Sequence, residues 1–172
     1  MIIMLSTEIT DMPGELEHSE LHLFTSIQDA STALLPTTLA WMSAPGIYHG
    51  SLNFASASES LIAGASLLTY PPSYGPPISL LLTEFHFVLL YADRVLALST
   101  LDERVVYEEI LPLKPGEVPR ALVADPVRKT YWVYTDQTIF ELRKENEARD
   151  VWRAYLDKEQ FDLALKHAKV RF

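Results

Sequence analysis

Residues 78–110 read ISLLLTEFHFVLLYADRVLALSTLDERVVYEEI. Four short runs, at 78–83, 85–91, 95–99 and 104–110, are rich in Leu, Phe, Val and Tyr, and brief polar breaks separate them. Runs of that length and composition predict β-strands, not helices. Ala92-Asp93-Arg94 predicts a tight hairpin connection, and Leu101-Asp102-Glu103 a second turn. The stretch therefore reads as an antiparallel meander of four strands.

The same layout recurs downstream. A loop at 112–119, with Pro115 and Gly116 inside it, leads to strands at 121–124, 130–134 and 138–142. Asp125-Pro126 and Asp136-Gln137 supply the turns. Upstream, 38–42 and 47–54 read as two strands around Ser43-Ala44-Pro45-Gly46. A shift of 43 residues places Tyr91-Ala92-Asp93 on Tyr134-Thr135-Asp136, and the same shift backwards reaches Tyr48-His49-Gly50. Periods of roughly 40–50 residues with four short strands mark propeller blades. One such sheet cannot bury both of its faces, whereas sheets packed side by side can. An antiparallel sandwich is the competing arrangement.

After Leu142 the period changes. Ala148, Val151, Trp152, Tyr155 and Leu156 follow i, i+3, i+4, i+7, i+8, which is one helix face. Phe161, Ala164, Leu165 and Ala168 form a second face, with Asp157 expected to cap that helix and Gln160 to reach back. The expected fold is mainly β with a C-terminal α part: a partial β-propeller of two to three blades, then an αα-hairpin starting an α-solenoid. The expected division is a poorly patterned segment at 1–36, a partial propeller at 37–143 and the first helical repeat at 145–172. Within 6–36 the weak pattern allows one short helix with Leu16, Leu23 and Ile27 on a face and His22 at its edge, or equally a loop-rich segment with one short element. Residues 55–77 are rich in Ser, Ala, Gly and Pro and read as a long surface loop. Within it, Tyr70-Pro71-Pro72-Ser73-Tyr74-Gly75-Pro76-Pro77 excludes a helix or a central strand.

The whole chain has 172 residues, 48% of them hydrophobic, and a net charge of −9. That is enough apolar material for a core. It also argues against a nucleic-acid binder. All 14 Lys and Arg lie from Arg94 onward, so residues 1–93 are acidic and base-free while the rest is charge-balanced. There is no Cys, hence no disulfide framework and no thiol nucleophile. The apolar run at 78–90 carries Glu84 and His86 and falls short of the roughly 20 residues a membrane-spanning helix needs. Residues 1–5 are too short for a signal sequence and lack a basic flank.

No catalytic, cofactor-binding or metal site is expected. His18 and His22 are four apart, but Glu20 stands where the metalloprotease pattern would not place it. His49, His86 and His167 have no acid or nucleophile at a telling spacing. Ser51, Ser56, Ser73 and Ser79 lie in no nucleophile elbow. Asp102-Glu103 and Glu108-Glu109 read as solvated charges. Arg143, Lys144, Arg149 and Arg153 alternate with Glu141, Glu145, Glu147 and Asp150, a mixed face and not a nucleic-acid patch.

Three quoted segments carry a resemblance: APGIYHGSLNF at 44–54, SLLLTEFHFVLLYADRVLALSTLDERVVYEEILP at 79–112, and ADPVRKTYWVYTDQTIFELRKENEARDVWRAYLDKEQFDLALKHAK at 124–169. Together they resemble the last propeller blades of the vacuolar protein sorting-associated protein 18 (deep orange) family and its passage into a clathrin-heavy-chain-like helical repeat. The resemblance implies a non-catalytic scaffold subunit of the class C tethering complexes HOPS and CORVET, with no cofactor. It implies other class C subunits as partners, SNAREs and Rab-linked subunits beyond them, and a peripheral place on late endosome or vacuole membranes. Full-length members add upstream blades, a long solenoid and a Cys/His zinc module. Their absence here, with Val170-Arg171-Phe172 leaving the usual continuation, gives the expectation of a fragment. A hydrolase using His49 or His86 with an acid, and a standalone peptide-binding β module, are the alternatives from other classes.

Overall fold

The computed structural model describes residues 18–25, 35–54, 61–125 and 128–168. They form eleven strands in three antiparallel sheets, followed by two helices. The first sheet runs β1 (Leu21–Phe24), β2 (Thr38–Met42), β3 (Gly46–Leu52), β4 (Ile62–Thr69). The second runs β5 (Ser79–Leu82), β6 (His86–Leu90), β7 (Arg94–Ser99), β8 (Val105–Ile110). The third holds β9 (Pro119–Asp125), β10 (Thr130–Thr135) and β11 (Ile139–Leu142). Each strand pairs with its neighbours in sequence, so all three sheets are simple meanders.

The second sheet lies between the other two, and strand alternation divides its side chains. Leu80, Leu82, Phe87, Leu89, Leu96 and Leu98 face the first sheet, meeting Ala40, Met42, Ile47 and Leu68. Leu81, Leu90 and Val95 face the third, meeting Leu122 and Val133. The sequence Ser79-Leu80-Leu81-Leu82 is buried on both faces, hence its unbroken apolar reading. At the other margin, every residue of β8 is exposed. Burial thus holds from β5 through β7 and is lost at β8. This is the stacked-sheet, partial-propeller arrangement with an α-helical C-terminal part.

The inner hairpin of each sheet opens on a residue whose N–H donates to a carbonyl three residues on: Ser43 to Gly46, Tyr91 to Arg94, Thr135 to Thr138. These three residues are structurally equivalent. Tyr48 is not among them; it sits inside β3, opposite Trp41. The uniform shift of 43 therefore mistakes the first repeat's register. A Tyr recurs by composition, while the turn there is Ser43-Ala44-Pro45. Between the second and third sheets the shift is nearly right, and the register break at Tyr134/Thr135 accounts for the slip of one residue. Gly46 is required where it stands: a Cβ would lie 2.1 Å from the Leu68 carbonyl oxygen of β4.

Two further expectations change. His22 and Leu23 lie on β1, a strand paired with β2, and not on a helix; Leu16 and Ile27 lie outside the described residues. The expected long loop at 55–77 contains β4. Its Ala, Gly and Ser have weak strand propensity, but β4 is an outer strand with one paired edge and only Leu68 buried. Pairing with β3 decides its conformation, since strand propensity is largely a matter of context. The proline-rich stretch after Tyr70 is free of strand and helix, as expected.

The helices are α1 (Val151–Asp157) and α2 (Phe161–Ala168), with fifteen residues and one sharp turn between them in all. Asp157 ends α1 and does not cap α2. The Gln160 N–H donates to the Tyr155 carbonyl (2.9 Å) and the Glu159 N–H to the Leu156 carbonyl (3.0 Å). Glu159 has φ +58°. That is a Schellman stop, built here on a non-glycine residue.

Candidate interaction surface and the sheet–helix junction

Three mostly buried carboxylates hold the sheets and the helical pair in place. Glu20 precedes β1. Its carboxylate accepts from the Ser79 hydroxyl at 2.9 Å and from the Leu80 N–H at 2.7 Å, across the seam to the second sheet. His18 and His22 bracket the same group, with Nε2 atoms 3.0 and 3.4 Å from it. Burial alone would raise the Glu20 pKa, but hydrogen bonds from His22, His18, the Leu80 N–H and Ser79 outweigh it and hold the group at about 2. Ser79 in turn accepts from the Leu122 N–H at 3.0 Å on β9 of the third sheet.

The two seams repeat one pattern. Glu20 lies opposite Met42, just before the turn-opening Ser43, and Ser79 lies opposite Leu90, just before Tyr91. At this shared position a side-chain oxygen accepts the backbone N–H of the next sheet's first strand. Such bonds fix the rotation of one sheet against the next, which hydrophobic contact alone leaves loose.

Glu117 acts inside the third sheet. It accepts from the Thr135 hydroxyl at 2.5 Å and the Lys114 N–H at 2.8 Å, tying the loop before β9 to the β10–β11 turn. These bonds lower its pKa.

Glu147 lies between β11 and α1 and turns back onto the second sheet. It accepts from the Thr83 hydroxyl and, at 2.9 Å, from the Phe85 N–H, both in the β5–β6 turn. Lys144 Nζ is 2.5 Å away and His86 Nδ1 3.4 Å away. Burial again pushes upward, and bonds from His86, Lys144, Thr83 and Phe85 prevail, holding its pKa at about 2. The helices add their own contacts at this end of the sheet. Lys158 donates to the Leu101 carbonyl, and the His167 ring stands edge-on to Phe85 (5.4 Å) while stacking on Tyr155 (5.4 Å). The helical pair is therefore docked on the β5–β6 and β7–β8 turns, not tethered by a free linker.

The opposite end of the second sheet carries the proline-rich stretch. Tyr74 packs on Tyr91 (5.3 Å), and Arg94 lies over the Tyr74 ring (5.5 Å). Arg94 also bridges Asp93 (2.8 Å) and Glu108 (2.6 Å). A shallow groove of about 540 Å³ runs between Ser73, Tyr74 and Pro76 on one side and Asp93 and Arg94 on the other.

The remaining residues weighed for chemistry are dispersed. His49 packs its ring on Phe87 (4.9 Å) in the first seam, and burial lowers its pKa. His86 has a partner 61 positions away in Glu147. Glu109 accepts from Tyr107 on the exposed β8, and Asp102 meets Arg104 at 3.6 Å in a turn. Among the described residues no cluster of three or more metal-ligating side chains is suited to a metal ion. No helix there is long and apolar enough to cross a membrane. Sequence reasoning missed Glu20, Glu117 and Glu147. Acids in a half-polar context read as solvated charges, and only pairing between distant segments shows otherwise.

Stacked antiparallel meanders with inner hairpins in equivalent places, followed by a docked helical pair, define a partial propeller. The family model for the Pep3/Vps18/deep orange beta-propeller domain matches residues 4–143. The chain belongs to that family. It is similar to the vacuolar protein sorting-associated protein 18 homolog of Danio rerio, at 34% identity over 94% of this chain and 16% of that protein. The Drosophila melanogaster homolog of the same name is 38% identical over 77% of this chain and 14% of that protein. The vacuolar membrane protein pep3 of Schizosaccharomyces pombe is 32% identical over 55% and 11%. The chain thus spans about one-sixth or less of the length of these relatives.

Proposed function

We propose that this chain is a non-catalytic scaffold segment of an endosomal or vacuolar membrane-tethering complex of the HOPS/CORVET kind, acting in vesicle docking, fusion and vacuolar protein sorting. Its partners in this reading are the other class C subunits, with SNAREs and Rab-linked subunits reached through them. It sits in the cytoplasm, peripheral on late endosome or vacuole membrane by way of the complex. The names of its relatives place them in vacuolar sorting and, for the yeast protein, at the vacuolar membrane.

One structural observation supports the scaffold reading above others: the Glu147 junction, which fastens the helical pair directly to the second sheet. In this reading the partial propeller takes in β1 (Leu21–Phe24) as well as 37–143, and 145–172 begins a helical repeat. A rigid joint between them sets the direction in which further helices leave the sheets, which a tethering scaffold needs and an enzyme does not. Capture of the other class C subunits by the tagged chain tests the proposal. Co-purification that is lost when 78–142 is deleted is the expected result. Binding to none of them, with vacuole fusion intact after deletion of the segment from its gene, would remove the reading.

A second reading, a β-module that binds extended peptides, has one observation in its favour. The outer strand β8 leaves Val105, Val106, Tyr107 and Ile110 about half or more exposed. Peptide-array binding that vanished on placing a proline at Val106 would favour it over the scaffold.

A further inference from the structure

The β7–β8 turn, on which the helical pair is docked, carries a hydroxyl followed by acids. It reads Ser99-Thr100-Leu101-Asp102-Glu103. Thr100 has acids at the second and third positions after it, and no other Ser or Thr in the sequence has both. The two neighbouring hydroxyls differ in kind. Ser99 is buried, and its Oγ accepts from the Leu101 N–H (3.2 Å) and the Asp102 N–H (3.3 Å), so it builds the turn. Thr100 is partly exposed, and among the described residues its hydroxyl has no partner. Glu103 is exposed and Asp102 partly so.

The surroundings of Thr100 are those of the helical dock. Its N–H donates to the Phe85 carbonyl at 2.8 Å, and Phe85 is the residue that Glu147 and His167 also meet. Leu101, next in the chain, offers its carbonyl to Lys158, the residue that ends α1. A cation of the helical pair therefore lies beside the turn. The strand that follows, β8, is exposed throughout and pairs along one edge only. A segment with so little burial opens locally at lower cost than a sheet interior.

We propose that Thr100 is a phosphorylation site for an acid-directed Ser/Thr kinase, and that its phosphate clamps the helical pair by pairing with Lys158. Kinases select substrates partly by charge pattern, and Asp102 and Glu103 supply the acids such an enzyme reads. In the step, Thr100 Oγ1 attacks the γ-phosphorus of ATP. The new O–P bond forms, the bond to the ADP oxygen breaks, and the hydroxyl proton passes to the kinase's base. The product carries a charge of about −1.5 to −2 at neutral pH. Lys158 reaches an uncharged carbonyl here, and the phosphate offers a charged acceptor one residue away. The inference concerns the joint between sheet and helices and holds whatever complex the chain serves.

The test treats the full chain with ATP and the purified catalytic subunit of a casein-type kinase, with a synthetic peptide of residues 97–106 in parallel. Phosphate on Thr100, located by fragmentation mass spectrometry, is the expected result for both. Thr100→Val keeps the branched shape and should lose that phosphate. Asp102→Asn with Glu103→Gln should slow its uptake about tenfold or more. In the phosphorylated chain, amide exchange across Val151–Ala168 should slow by up to about fivefold, the range an exposed ion pair gives. Lys158→Ala should cancel that slowing and leave the uptake unchanged. No phosphate at Thr100 of the folded chain overturns the proposal, whether or not the peptide is accepted. So does exchange that is unchanged or faster after modification, or a slowing that persists in Lys158→Ala.

Discussion

The Ser79 hydroxyl donates to the Glu20 carboxylate at 2.9 Å while accepting the Leu122 N–H at 3.0 Å, so one side chain joins all three sheets. Ser79 is fully buried. Replacing it with Ala leaves the Leu122 N–H without its acceptor and removes one donor from Glu20. A buried polar group left unpaired costs about 1–3 kcal/mol. Ser79→Ala should lower the unfolding free energy obtained from urea melts by that amount at fixed protein concentration. In a double-mutant cycle with Glu20→Gln the two losses should fail to add, since they share one bond. Strict additivity would show that the contact carries no coupling.

Acid should loosen the first seam and the helical junction together. Glu20 and Glu147 are each held at about 2, against an ordinary value of 4.5. Their folded forms therefore bind fewer protons than the unfolded chain between those limits. The stabilisation is complete above about pH 4.5 and is lost as pH falls toward 2. At roughly 1.4 kcal/mol per unit, each group contributes on the order of 3 kcal/mol in that window. Thermal melts from pH 6 down to pH 3 should show a falling midpoint. The slope should shrink in Glu20→Gln and shrink again in the Glu20→Gln, Glu147→Gln pair.

The strands of 78–142 were legible in the sequence because burial there follows a simple rule. Inner strands are uniformly apolar, as in Ser79-Leu80-Leu81-Leu82, and turns carry Asp or Pro. The helical period after Leu142 was legible for the same reason. Strand β4 was not, since Ala63, Gly64, Ala65 and Ser66 carry no apolar signal and take their conformation from β3. Nor was the register of the first repeat, where Tyr48 imitates a turn residue and sits in a strand. The candidate site was hidden for a different cause. Glu20, Glu117 and Glu147 act through partners that lie 60, 18 and 62 positions away, and no local pattern marks such pairs.

Removing Glu147 should free the helices without opening the sheets. Glu147→Ala deprives the Phe85 N–H and the Thr83 hydroxyl of their acceptor and leaves Lys144 and His86 without the shared carboxylate. The helices are short, seven and eight residues, and isolated helices of that length are marginal in water. Their order depends on the dock. Amide exchange across Val151–Ala168 should accelerate by roughly tenfold or more, the factor that about 1.4 kcal/mol of lost protection gives, while β5 to β7 stay protected. Uniform acceleration along the chain would mean that the junction is part of one cooperative unit.

Glu159 offers the opposite kind of change. It closes α1 with φ +58°, the left-handed region that side chains with a Cβ enter at a cost. Its own N–H and that of Gln160 complete the stop by bonding back to Leu156 and Tyr155. Those bonds use backbone atoms alone, so Glu159→Gly keeps them. Glycine removes the steric penalty of about 1 kcal/mol and returns part of it as extra freedom in the unfolded chain. A net gain of about 0.5 kcal/mol is expected, visible as slower amide exchange in α1 and α2. Glu159→Val, whose branched Cβ tolerates this region poorly, should shift exchange the other way. If the glycine variant loosened the helices instead, the Glu159 side chain would have to be holding something that its backbone does not.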